Sequence, residues 1–146
     1  MRLGAQVGDE SHDWWGVNRR KWTLLVDQII PEHADLAPHV DALRDLRDHR
    51  AMAATEWIVT MREGLKLLEH YPRDMLHVPY EALCDAPVAM CKRIAAFAGL
   101  DEDQVFLNYA ETVLKPSSTR VEFALPASIE APFRQTVDAL APRETM

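Results

Sequence analysis

One apolar stripe, and the way it ends, constrains this chain more than any other feature. Between residues 51 and 70, Ala54, Trp57, Ile58, Met61, Leu65 and Leu68 recur at steps of three, four and seven. That spacing aligns side chains along one side of an α-helix. Tyr71-Pro72-Arg73-Asp74 breaks the pattern, because proline disfavours helical geometry in the residue before it and brings no N–H to the helix. The short apolar run Met75-Leu76-His77-Val78 then predicts a strand, followed by Tyr80-Glu81-Ala82-Leu83. Asp85-Ala86-Pro87 predicts the next helix, with a capping carboxylate and a first-turn proline, and Gly99 supplies the left-handed residue that closes it. The expected fold is mainly α with one short strand. A strand that delivers an aromatic ring and a carboxylate to the mouth of a βα unit sets them where α/β proteins bind ligands.

The flanks are less regular. Residues 1–18 hold three of the five glycines and Trp14-Trp15-Gly16 without helical or strand period, which reads as loop. Trp22, Leu24, Leu25, Val26, Ile29 and Ile30 predict a short helix stopped by Pro31. Leu36, Val40, Leu43 and Leu46 predict a polar helix over residues 34–48. Asp101 with Gln104 has capping-box spacing for a helix toward Leu114. Lys115-Pro116-Ser117-Ser118-Thr119-Arg120 reads as a helix-breaking loop, and residues 129–140 as a terminal helix with Pro132 near its start.

At 146 residues and 48% apolar content the chain is long enough for one domain with its own core. Its 23 acidic against 16 basic residues, a net charge of −7, argue against a nucleic-acid partner and require any anionic ligand to find a local basic pocket. No apolar run approaches the ~20 residues of a membrane span, and the first residues lack the apolar stretch of a signal peptide, so the expected setting is cytoplasmic. Cys84 and Cys91 suit reduced thiols better than a disulfide framework. The six histidines form no His-x-x-x-His pair and the cysteines no Cys-x-x-Cys, so no metal site is expected. His12 reads as a loop residue and His77 as a packed one. No catalytic base is assigned.

The succession Trp57, Pro72 to Val78, Tyr80-Glu81-Ala82-Leu83, Asp85-Ala86-Pro87 and Phe97-Ala98-Gly99-Leu100 resembles the carboxyl-terminal portion of sulfotransferases that use 3′-phosphoadenosine 5′-phosphosulfate. The likeness covers most of the chain. It departs from the family pattern at Ala82, where an acidic residue is usual, and by one residue inserted between Asp85 and Pro87. The resemblance implies the carboxyl-terminal part of a three-layer α/β fold related to P-loop kinases. The activity it implies is transfer of a sulfonate from that donor to a hydroxyl or amine, on a small-molecule, glycan or peptide acceptor. No Gly-rich loop with Lys and Ser/Thr stands among the glycines at 4, 8, 16, 64 and 99, and no Arg-Asp-Pro-Arg-like segment is found. The expectation is therefore an incomplete sulfotransferase-like domain over 1–146, inactive alone, whose missing amino-terminal half would be its partner. Within it, 1–33 form an acceptor-side loop and short helix, 34–114 a helix-strand-helix core, and 115–146 a phosphate-loop candidate and terminal helix.

On that resemblance Tyr80 packs beside the donor adenine, a task suited to an aromatic face, while Glu81 caps or pairs locally. Lys115, Ser117, Ser118 and Arg120 hold the donor 3′-phosphate, for which a point charge, hydroxyls and a guanidinium fork are apt. The family's Arg-Lys-Gly triplet is not present. Trp14, Trp15 and Trp22 line the acceptor side. The competing reading is a small, mainly helical protein-interaction module without catalytic activity, in which Tyr80 is plain core.

Overall fold

A computed structural model describes residues 14–116 and 124–141. The elements are α1 (Arg20–Leu24), α2 (Val40–Arg44), α3 (His49–His70), α4 (Tyr80–Asp85), α5 (Pro87–Phe97), α6 (Gln104–Val113) and α7 (Ala127–Leu140), with short 3₁₀ and π turns before α3. Among the described residues no strand forms. The architecture is mainly helical, as expected; the short strand is the part that fails. Residues 75–78 are half-buried but carry no regular structure, and none of their backbone groups bonds another backbone group among the described residues. A strand exists only through a partner's N–H and C=O groups, and no described segment offers them.

The chain divides into two compact units, Met1–Gly64 with Ala124–Met146, and Leu65–Phe123, with α3 running through the boundary. In the first unit, Trp15, Trp22, Val26, Ile30, Leu36, Leu43, Met52, Ile58 and Ile129 are buried in one core. Trp15 and Trp22 meet edge to face at 5.2 Å, the geometry ring quadrupoles favour. Pro31 does not stop the first helix at Ile30: a π turn over Leu25–Ile29 and a 3₁₀ turn over Ile30–Glu32 carry it on. Proline is tolerated there because it enters at the first turn of the tighter helix. The helix expected over 34–48 shrinks to a 3₁₀ turn at Ala37–His39, built around Pro38, and the five residues of α2.

Arg62 ties three segments of this unit together. Its guanidinium forks onto both Asp35 carboxylate oxygens at 2.8 and 2.7 Å, and its Nε donates to Thr136 Oγ1 at 3.1 Å. The Thr136 hydroxyl in turn donates to the Pro132 carbonyl at 2.8 Å, so this buried hydroxyl both gives and receives. The Arg62 hydrogen bond, the largest influence, holds the Asp35 carboxyl below its usual range, against the opposing effect of burial.

The second unit has a much smaller core, in which Cys91, Leu107 and Ala110 are buried and Leu83, Val88 and Leu114 pack against them. Helix α5 closes as Gly99 implied. With Gly99 at φ 67°, Leu100 N–H bonds Ala95 C=O at 2.9 Å and Gly99 N–H bonds Ala96 C=O at 3.2 Å, a Schellman closure. Asp85 does not cap α5: Ala86 occupies the cap with no side-chain bond, and only the first-turn proline stands as expected. The cap of α6 is Asp103 rather than Asp101, its Oδ1 accepting from Val105 and Phe106 N–H at 2.7 and 3.2 Å.

Candidate functional site

Pro79, at φ −61° and ψ 132°, ends the irregular segment and is the N-cap of α4, so Tyr80 is the first residue of a helix and not the tip of a strand. The Tyr80 side chain is 62% exposed, which removes the plain-core reading of this residue. Its hydroxyl is raised above the ordinary phenol range, foremost by a hydrogen bond with the Cys84 thiol one turn along, then by the charges of Cys84 and Glu81 and by desolvation. At neutral pH the ring is an uncharged aromatic face, suited to stacking and unsuited to taking a proton. Glu81, beside it, is exposed in the first turn of α4.

Lys115 lies in the same unit, just beyond α6, with its ammonium on the Glu111 carbonyl at 2.7 Å. Helices α4 and α6 both pack on α5, so the Tyr80 and Lys115 elements share one neighbour. Ser117, Ser118 and Arg120 lie outside the described residues, as does His12. Cys84 and Cys91 are free and buried. His77 is half-buried. Among the described residues no three His, Cys, Asp or Glu side chains gather as a metal set, and no helix is long and apolar enough to cross a membrane.

The three tryptophans separate sharply. Trp15 and Trp22 are 2% and 1% exposed and are core residues; Trp22 Nε1 donates to the Leu43 carbonyl at 3.1 Å. They line no acceptor surface. Trp14 alone presents its ring outward, and that ring is engaged. The Lys21 ammonium sits 3.8 Å from its centroid and pairs with Glu56 at 2.5 Å. Trp14 Nε1 donates to the other Glu56 oxygen at 2.9 Å. Nothing in the sequence singles out Glu56, one acidic residue among 23, because its partners Trp14 and Lys21 lie far from it along the chain.

A second arrangement was also missed. Helix α6 buries Leu107 and Ala110 yet leaves Val105, Phe106, Tyr109 and Val113 at 78, 51, 65 and 50% exposure. The signal was present in the composition of residues 104–113: too many large apolar residues for a helix covered on one side.

No family model matches the chain, and neither a curated protein nor a solved structure matches it.

Proposed function

We propose that this chain supplies the nucleotide side of a sulfotransferase donor site, with Tyr80 stacking on the adenine and Lys115 holding charge at the 3′-phosphate. The observation that carries the reading is the exposure of the Tyr80 ring at the start of α4, in the same compact unit as Lys115. An aromatic side chain left open to water beside a half-buried, irregular apolar segment has a face to offer a planar base. Ordered motifs along residues 57–100 supply the rest of the support.

On this reading the chemistry is divided. Sulfonyl transfer needs a base for the acceptor proton and donors for the charge on the leaving phosphate, and a loop of backbone N–H groups to hold the sulfonate. The sequence contains no Gly-rich loop of that kind, so residues outside it would have to provide one. What this chain contributes is binding and orientation of the donor's adenosine end. The Tyr80 phenol, held neutral, takes no part as a base.

The test is the melting temperature of the full chain with and without 3′-phosphoadenosine 5′-phosphate. Binding to the native state raises it by several degrees at saturating ligand. Tyr80→Ala abolishes the shift, Tyr80→Phe retains it because the aromatic face is kept, and Lys115→Ala reduces it. A melting temperature unmoved by saturating nucleotide counts against the reading. The interaction-module alternative is favoured by one observation, the bare apolar stripe of α6.

A further inference from the structure

We propose that α3 is jointed at Gly64, so that the two compact units move independently about a pivot inside one continuous helix. The helix runs over 22 residues, and its buried side chains, Ala51, Met52, Ala54, Thr55, Ile58 and Val59, all lie in the first half. Arg62 then adds its bonds to Asp35 and Thr136. Up to this point the helix is locked into the first unit. From Glu63 to His70 every residue is half-buried or exposed, with Leu67 at 46%. The division between the units falls between Gly64 and Leu65, where that anchoring has just ended.

Neither of the usual structural reasons for a glycine applies at 64. Its backbone is helical, unlike the left-handed Gly16 and Gly99. A Cβ added there would meet nothing within 4 Å among the described residues, so no close approach requires its absence. What glycine does in such a position is weaken the helix, lowering the local helix equilibrium about four- to fivefold relative to alanine. Burial of one face ordinarily carries a protein helix across a residue of this kind, but in α3 full burial ends at Val59.

The stretch beyond Gly64 is a firm helix in its own right. Leu65, Lys66, Leu67, Leu68 and Glu69 are all strong helix formers. Its end is closed as well, with Tyr71 N–H bonded to Leu67 C=O at 2.8 Å and His70 Nδ1 on Lys66 C=O at 2.7 Å. A stiff segment on each side of one weak residue makes a joint, whereas an unsupported helix end would loosen progressively toward His70. Tyr80 and Lys115 both belong to the unit beyond the joint, so its motion carries them together. The joint itself does not depend on nucleotide binding and is read without ligand.

Amide exchange and backbone nitrogen relaxation, measured by NMR on the full chain, test it. The amides of Leu65, Lys66 and Leu67 make the helical bonds that span Gly64. They are expected to exchange faster than those of Thr55 to Val59 before them and faster than those of Glu69 to Tyr71 after them. Gly64→Ala, which enters open space, slows them about four- to fivefold and leaves Thr55 to Val59 unchanged. Relaxation gives the two units separate correlation times, which Gly64→Ala draws together. Exchange that rises steadily to His70 is fraying of the helix end and overturns the proposal. So does exchange at Leu65 to Leu67 that is indifferent to Gly64→Ala, and so does a single correlation time for both units.

Discussion

The two compact units are built from similar helices and solve the burial problem differently. The first gathers residues from α1, α2, α3 and α7 around two crossed tryptophans and adds a polar node in which Arg62 bonds Asp35 and Thr136, and Thr136 in turn bonds the Pro132 carbonyl. In the second, three small or medium residues form the buried centre, while Tyr80, Phe97, Leu100, Val105, Phe106, Tyr109 and Val113 remain exposed. Stability on folding comes chiefly from apolar surface removed from water, and the second unit removes little. Its exposed aromatics are therefore where a ligand or partner gains most by binding, and where the proposed donor site falls. Native-state hydrogen exchange measures the contrast directly: amides of α2 and the first half of α3 are expected to outlast those of α5 and α6.

The largest effect on that contrast is expected from Trp22→Ala. The side chain is 1% exposed and its ring nitrogen is bonded to Leu43 C=O, so truncation leaves a cavity and removes one hydrogen bond from a carbonyl that still accepts from Leu46 N–H. A loss of about 4 kcal/mol is expected in urea unfolding. That loss brings the first unit down toward the second. A loss under about 1 kcal/mol would mean that the tryptophan pair is not the centre of the unit.

Arg62→Ala is expected to cost about 2 kcal/mol at pH 7, the range for hydrogen bonds to charged groups, and its pH dependence is the sharper test. Asp35 has a folded-state pKa below its unfolded value, principally because Arg62 bonds its carboxylate. Its contribution is therefore fully present above the ordinary aspartate pKa of about 3.9 and is lost as pH falls through the folded value. The stability gap between wild type and Arg62→Ala should narrow as pH drops from 7 toward 3. A gap that stays constant would place the stabilisation in the Thr136 and Pro132 contacts instead.

What the sequence made legible follows from how local each determinant is. The stripe of Ala54 to Leu68 and the glycine at 99 act within one or two turns, and both α3 and the closure of α5 stand as read. The strand at 75–78 depended on a partner that local pattern cannot supply. Tyr80 to Leu83, expected to follow directly on a strand at the mouth of a βα unit, form the first turn of α4, because Pro79 starts a helix as readily as it ends a strand. Burial was the least legible property. Trp14 and Trp15 are adjacent, yet one is 68% and the other 2% exposed, because Trp15 packs on Trp22 within the core while Trp14 is held at the surface by Glu56 and Lys21. The residues of the proposed donor site were readable as chemistry through resemblance, not as geometry: the exposure of Tyr80 depends on how α4 leaves the irregular segment.

The smallest expected effect concerns the cap of α6 and separates two neighbouring carboxylates. Asp101 and Asp103 flank Glu102, and composition alone does not choose between them as the cap. The structure assigns Asp103, which accepts from two otherwise orphaned N–H groups of the first turn, whereas Asp101 precedes the helix without that role. Asp103→Ala should therefore cost about 1 kcal/mol and Asp103→Asn little, since asparagine caps as well as aspartate. Asp101→Ala should leave unfolding of the second unit unchanged. Because that unit starts with the smaller core, the Asp103→Ala loss should also show locally, as faster amide exchange in α6 with none in α3. Equal effects at 101 and 103 would mean that net acidity before the helix, acting on its dipole, matters more than the capping bonds themselves.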